Sequence, residues 1–547
     1  MHSGPDQNQP RGAGARRALG RRGLPARRRP GGPGARRGPL PVRGRGRRPV
    51  RRLNSDYRRR DRRRRTAEEG CWGVRGRGDC RIGLLGACAD GARPGASVAA
   101  RGSWCHAGGG GVPNGGAPVN ASIPASPETV FTYGSPALKF GPGASAEIGF
   151  DLAQYGVRRV LVVTDAGVAA TGSPQRIADQ LGGYGMHAEV FDGVHVEPTD
   201  LSMRAAVEHA RATGPWDAFV AVGGGSSIDT AKAVNLLITN AGDLLDYVNA
   251  PLGGGRAPSE PLRPLVAVPT TTGTGAESTT TCVLDLLALK VKTGISHPRL
   301  RPTLAVVDPE LTMTQPAGVT ASSGMDILCH ALESYTAKPY TAYDHKLAEQ
   351  RVPYCGANPI SDMWSERALQ LLARSFRTAV RDGDDVAART DMALAAMFAG
   401  LGFGNAGVHI PHAVAYPIAG RVKDFRPAGY PADEAMVPHG MAVSLTAPEA
   451  FRFTFDTQPE RHVRVAELLA PQLDRPNDAA ELLPAALLEL MRDIGIPGGV
   501  GAVGYDESDV PDLVDGAMKQ QRLLATAPLP VTEDDLAAII TRSIELW

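Results

Sequence analysis

A chain of 547 residues is too long for one ordinary core, and its 42% hydrophobic and 5% aromatic content fits a globular enzyme. No uncharged apolar run reaches the roughly 18 to 20 residues of a membrane span, so no membrane partner is expected. The net charge of +3 conceals two opposed parts: residues 1–101 carry 28 Arg, no Lys and 7 acids, whereas the remaining 446 residues carry 32 basic and 50 acidic ones.

Residues 1–120 form an Arg/Gly/Pro-rich extension with no periodic apolar face, so no core is expected there. Three readings compete. The arginines suit a nucleic-acid-binding arm. Their abundance suits a mitochondrial transit peptide, although the stretch is Ser-poor and broken by Pro. The favoured reading is that the extension contributes nothing to the fold and is a mis-extended start of a GC-rich gene. On that reading the chain is cytoplasmic; a transit peptide would place it in the mitochondrial matrix. Cys71, Cys80, Cys88, Cys105 and His106 match no paired zinc spacing. Only Cys282, Cys329 and Cys355 follow, which is no disulfide framework and suits a reducing compartment.

From about residue 125 to 310 the chain alternates strands and helices. Arg158 to Asp165 reads as a buried strand, 174–183 as a helix, Ala188 to Phe191 as a strand, 201–213 as a helix and Ala218 to Val222 as a strand. That alternation predicts a parallel sheet with helices on both faces, binding ligands at the carboxyl ends of its strands. The strand at 218–222 runs into Gly223-Gly224-Gly225-Ser226-Ser227-Ile228-Asp229. Glycines let backbone approach a phosphate, and the following helix offers unpaired N–H groups. A tight turn alone would also explain the glycines. The strand Leu265 to Val268 leads into a second loop, Pro269 to Glu277, where Thr271, Thr272 and Thr274 bring hydroxyls. Asp165 ends the first strand, where it suits an adenosine ribose and favours NAD over NADP, or caps a helix. These features predict a dinucleotide-binding domain.

From 311 to 547 helical patterns dominate, predicting an all-helical second domain. Asp326 and His330 stand four apart on one helix face. His409, His412 and His439 lie in apolar, Gly- or Pro-marked settings. A carboxylate with imidazoles suits Fe(II) or Zn(II) with an open position.

Taken together, Gly223 to Lys232, Pro269 to Glu277, Val307-Asp308-Pro309, Gly324 to Glu333 and Pro438-His439-Gly440 resemble the iron-containing alcohol dehydrogenase family. The resemblance spans about 420 residues. It implies a dehydroquinate synthase-like fold, with an α/β dinucleotide-binding domain, a helical domain and the metal in the cleft between. It also implies a divalent metal (Fe2+, with Zn2+ as alternative), NAD as cofactor, and a homo-oligomer. Metal ligation falls on Asp326, His330, His412 and His439, since His412 to Pro417 follows the family's His-x-x-x-His-Pro form. Tyr416 replaces the family's second His, leaving the proton relay to Tyr416 or a water, with His409 either relay or structural. Cofactor contacts fall on Asp165, Gly224, Gly225, Ser226, Asp229, Thr271, Thr272, Thr274 and Lys292.

Gly402 to His409, Tyr416, Asn358 to Asp362 and Leu289 to Lys292 look like the hydroxyacid-oxoacid transhydrogenase branch of that family. The branch implies hydride transfer from 4-hydroxybutyrate to 2-oxoglutarate on a nicotinamide that stays bound. An NAD-releasing alcohol dehydrogenase is the near alternative, and a nucleic-acid-binding protein acting through its basic extension the distant one. Acid substrates need a cation for the far carboxylate, and Arg421, Lys423 and Arg426 supply candidates between two metal ligands, unless that segment is a solvated loop.

Overall fold

The computed structural model describes residues 126–289 and 291–547. The expectations for residues 1–120, including the four cysteines and His106, and the one for Lys290 lie outside the described residues.

Six strands form one parallel sheet: β1 (Ala137–Phe140), β2 (Arg159–Asp165), β3 (His187–Val194), β4 (Ala218–Gly223), β5 (Leu265–Pro269) and β8 (Leu304–Val307), in the order β1-β8-β5-β4-β2-β3. The apolar runs in β2 and β4 follow from burial on both faces. Alternate residues enter two separate cores. Leu161, Val163, Phe219 and Ala221 pack with helices α2 (Asp200–Thr213) and α3 (Gly225–Thr239). Val160, Val162, Val220 and Val222 pack on the other face with Ile177 and Leu181 of helix α1 (Ser173–Gly183). The sheet reverses direction between β2, which leads to β3, and β4, which leads to β5 and β8. The carboxyl ends of β2 and β4 flank that switch point, where such sheets bind ligands. A hairpin, β6 (Thr281–Leu286) and β7 (Val291–Ser296), projects from the sheet sequence. Neither β1, β8 nor this hairpin was expected from the sequence pattern.

Among the described residues no strand follows Val307, and helices take over. Helix α4 (Ala317–Thr336) lies at the centre, packed by α5 (Pro359–Arg381), α6 (Val386–Ala406) and α8 (His439–Ser444), while α7 (Ile410–Gly420) packs on α8 and on α9 (Val510–Met518). Close crossings rest on missing side chains. A Cβ on Gly324 would stand 2.1 Å from the Phe376 ring, so α4 and α5 meet there only because residue 324 is Gly. Helix α6 is long and apolar enough to cross a membrane, yet it packs against α4 and α5 in the helical core. The two halves meet where the 270–275 loop touches α6: Gly275 has φ +59°, and a Cβ there would stand 2.8 Å from the Gly400 Cα. Cys282, Cys329 and Cys355 are free thiols.

Candidate active site

The glycine turn closes β4 and starts α3 at Gly225. The two loops are pressed together. A Cβ on Gly224 would stand 3.1 Å from Thr271 Oγ1, and one on Gly225 would stand 2.8 Å from Thr274 Cγ2. Side chains would fill that cradle, so it keeps backbone N–H groups open at the start of α3. Asp165 sits at the end of β2, where its carboxylate accepts from Val168 N at 3.0 Å and from Ser227 Oγ at 3.3 Å. It is therefore a helix cap beside the cradle.

Other expected cofactor contacts divide. Ser226 and Thr274 line a cavity of about 140 Å³, together with Gly225. Asp229 also lines it, but its carboxylate is taken by Lys232 Nζ at 3.2 Å and Val283 N at 2.9 Å. Thr272 is buried and its N–H donates to Gln315 Oε1 at 3.1 Å; neither it nor Thr271 lines the cavity. Lys292 lines the cavity with its ammonium against Glu197 at 2.6 Å and Asp285 at 2.9 Å. Burial disfavours its charge, but those two carboxylates outweigh burial and raise its pKa, so it stays protonated.

The same cavity reaches Asp326, His330, His412 and His439. One oxygen, Asp326 Oδ1, lies 3.6 Å from His330 Nε2, 3.5 Å from His412 Nε2 and 3.9 Å from His439 Nε2. Asp326 and His330 stack one turn apart on α4. Gly440 brings in the third partner, since a Cβ there would stand 2.1 Å from Ser322 O and 2.7 Å from Asp326 Cβ. Only glycine after His439 lets α8 approach α4 so closely. The His330 ring lies flat on Phe403, centroids 3.7 Å apart.

These donors fit a divalent ion. Donors at about 2.1 Å around a tetrahedral ion stand ~3.4 Å apart, near the 3.5, 3.6 and 3.9 Å that separate Asp326 Oδ1 from the three histidine nitrogens. Asp326 Oδ1 and His412 Nε2 are buried without a hydrogen-bond partner, a costly arrangement that a cation would satisfy. Asp326, His412 and His439 offer ligand atoms that all lie within 4.8 Å of one another. Burial raises the Asp326 pKa, but His330, His439 and His412 together draw it below the usual carboxylate range. Burial pushes His330 down to about 3, so it is a neutral donor.

Glu333, one turn beyond His330, is a residue whose role the sequence reading missed. It accepts from His412 Nδ1 at 2.5 Å and from His409 N at 2.6 Å. With Nδ1 held there, the His412 ring is fixed with Nε2 on the side of Asp326, 3.5 Å from its Oδ1. The i, i+3 spacing from His330 was the signal that could have marked Glu333.

His409 does not reach the cavity. It is fully buried, its Nε2 is 3.1 Å from Thr336 Oγ1, and its ring edge meets Phe451. Its backbone N–H steadies Glu333 while its side chain packs the core. Tyr416 does line the cavity, with its ring centroid 5.8 Å from that of His439. Burial pushes its phenol up to about 12, making it a proton donor rather than a base at neutral pH.

The cations expected for a substrate carboxylate lie elsewhere. Arg421 pairs with Asp512 at 2.9 Å and Asp515 at 3.6 Å on α9, and Lys423 pairs with Asp509 at 2.7 Å. Arg426 Nη1 donates to Asp424 O at 2.8 Å. None of the three lines the cavity. Acids on a distant stretch of sequence neutralise Arg421 and Lys423, which spacing around the metal ligands could not reveal. Arg522 lines the cavity instead.

Comparison with known proteins gives a consistent picture. Residues 135–309 match the family described as iron-containing alcohol dehydrogenase, and residues 320–544 match the Fe-containing alcohol dehydrogenase family, C-terminal. The chain is 45% identical over 415 residues to the protein named hydroxyacid-oxoacid transhydrogenase, mitochondrial, of Bos taurus, covering 75% of this chain and 89% of the relative. The Homo sapiens protein of the same name is 44% identical over the same shares. Among solved structures, 1,3-propanediol oxidoreductase is 32% identical with a TM-score of 0.66, covering 76% of this chain and 100% of that one. Sulfoacetaldehyde reductase from Bifidobacterium kashiwanohense, in complex with NAD+, is 27% identical with a TM-score of 0.62, covering 76% and 99%. Two family profiles in tandem, spanning both halves that meet at this cavity, establish that the chain belongs to the iron-containing alcohol dehydrogenase family.

Proposed function

We propose that this oxidoreductase passes hydride from 4-hydroxybutyrate to 2-oxoglutarate, giving succinate semialdehyde and 2-hydroxyglutarate. The observation that carries the reading is a single cavity joining the Gly225–Ser226 cradle to the Asp326–His330–His412–His439 cluster. The named transhydrogenase relatives support the substrate pair, as does the branch pattern in the sequence.

Asp326, His330, His412 and His439 would hold the ion, taken as Fe2+ from the family, with Zn2+ suited to the same donors. Gly224, Gly225, Ser226, Thr271 and Thr274 would hold the nicotinamide nucleotide, with Asp165 toward its ribose. When bound, the ion polarises the reacting oxygen and the nicotinamide carries the hydride between half-reactions. The protein's own part is positioning and proton handling. Glu333 fixes the His412 ring, and Phe403 fixes His330. Tyr416, protonated beside His439, would donate a proton to the carbonyl oxygen of the acceptor, and the tyrosinate so formed would take one back from the hydroxyl of the donor. Hydride and proton lost by the donor alcohol are both returned to the acceptor, so the cycle balances without an external oxidant.

The relatives' names favour the mitochondrial alternative over the cytoplasmic expectation. The test of function uses metal-loaded enzyme with 4-hydroxybutyrate and 2-oxoglutarate and no added NAD. Steady formation of 2-hydroxyglutarate is expected. No product without NAD, but NADH formed from an alcohol once NAD is supplied, would make this an NAD-releasing alcohol dehydrogenase.

A further inference from the structure

We propose that Arg522 binds the far carboxylate of both acids and sets the length of substrate the site accepts. The inference rests on the transhydrogenase reading. Among the described residues, the cations lining the cavity are Lys292 and Arg522. Glu197 and Asp285 already neutralise Lys292. Arg522 differs: among the described residues its guanidinium makes no ion pair, although it is half-buried at a cavity wall. A guanidinium in that setting suits bidentate recognition of a carboxylate.

Its position is built. Helix α10 (Gln521–Leu524) is held from both sides, by Gln520 Nε2 donating to Lys292 O at 3.2 Å and by Lys338 N donating to Thr526 O at 2.9 Å. The Arg522 guanidinium lies over the Tyr354 ring, 4.7 Å from its centroid. That ring in turn packs where Gly407, at φ +99°, leaves room: a Cβ there would stand 3.2 Å from Tyr354 Cδ2. On the inner side, Arg522 shares the cavity lining with Tyr416, whose ring neighbours His439. The wall therefore runs from the metal-binding cluster through Tyr416 to Arg522.

The two acids share one dimension. In 4-hydroxybutyrate the carbon bearing the hydroxyl is separated from the carboxylate carbon by two methylenes. In 2-oxoglutarate the keto carbon is separated from the distal carboxylate carbon by two methylenes as well. A cation at a fixed distance from the reacting carbon serves both half-reactions. That explains how a single cavity can release one acid and seat the other in the same register.

The test uses full-length metal-loaded enzyme and the variants Arg522→Gln and Arg522→Lys, checked for folding by circular dichroism and for metal content. Butyrate, an unreactive carboxylate of the donor's length, is titrated calorimetrically. Wild type should bind butyrate more tightly than propionate or valerate, and Arg522→Gln should weaken butyrate roughly 10- to 100-fold, as expected for a lost charge-assisted pair. In Arg522→Gln, KM for 4-hydroxybutyrate and 2-oxoglutarate should rise together, far more than KM for uncharged 1-butanol, with partial recovery in Arg522→Lys. The anchor is overturned if wild type binds no butyrate, if Arg522→Gln binds it as tightly as wild type, or if acids and butanol suffer alike. Butyrate binding lost in Arg522→Gln while wild type fails to transfer hydride between the acids would uphold the anchor and overturn the transhydrogenase reading.

Discussion

Glu333 has no lone role in chemistry, yet its two oxygens organise the loop between α6 and α7 and one imidazole. Partners that orient a ligating His typically change metal affinity by about 10- to 100-fold when lost. Glu333→Gln should show that loss in competition with a chelator, and wild-type metal retention would contradict the assignment. Arg421→Ala and Lys423→Ala should leave KM for both acids unchanged, because each side chain is spent on α9 or its approach. A raised KM in either would return the carboxylate site to that loop. His409 affects stability instead. Burial holds its pKa at about 4 against 6.5 for the free group, opposed only in part by Glu333. Below pH 6.5 the unfolded chain takes up a proton that the folded chain refuses. Stability present above pH 6.5 is therefore lost as pH falls toward 4, by up to about 3 kcal/mol. Wild-type Tm should fall more steeply across that interval than that of His409→Gln, and parallel curves would contradict this. That Asp326, His330, His412 and His439 come together was legible because Asp326 and His330 share a helix face and the other two histidines lie in family patterns. Arg522 was not, because nothing near it in sequence marks the cavity that α10 joins.

At the scale of elements, the β2 and β4 runs were readable as strands because burial on both faces demands unbroken apolar sequence. The four-residue β1 carries Lys139 and is only partly buried, so its signal was weak. The β6–β7 hairpin carries Asp285 and Lys292, paired at 2.9 Å, and the buried Thr293 within its strands, and such polar residues break the apolar alternation a strand search needs. The glycine cradle is the element-level test. Gly225→Val would place its branch against Thr274, where even a Cβ comes within 2.8 Å. Purified Gly225→Val should carry far less bound nucleotide than wild type, measured by absorbance of the released cofactor, with metal content preserved. Equal nucleotide content would show that the cradle does not hold it.

The whole molecule places its two kinds of chemistry on different halves. The sheet ends form the glycine cradle, and the helices carry the Asp326, His330, His412 and His439 cluster. The Gly275–Gly400 contact and the shared cavity hold them in register. Sequence periodicity separated the halves, but only packing shows that one cavity runs between them. The account predicts that hydride crosses that cavity without leaving it. The most direct measurement supplies 4-hydroxybutyrate carrying deuterium at its hydroxyl-bearing carbon, 2-oxoglutarate, and a pool of unlabelled NADH. Mass spectrometry of the product should find deuterium on the hydroxyl-bearing carbon of 2-hydroxyglutarate, undiluted by the pool. Product that takes unlabelled hydride from the NADH pool, or no product at all, would contradict it.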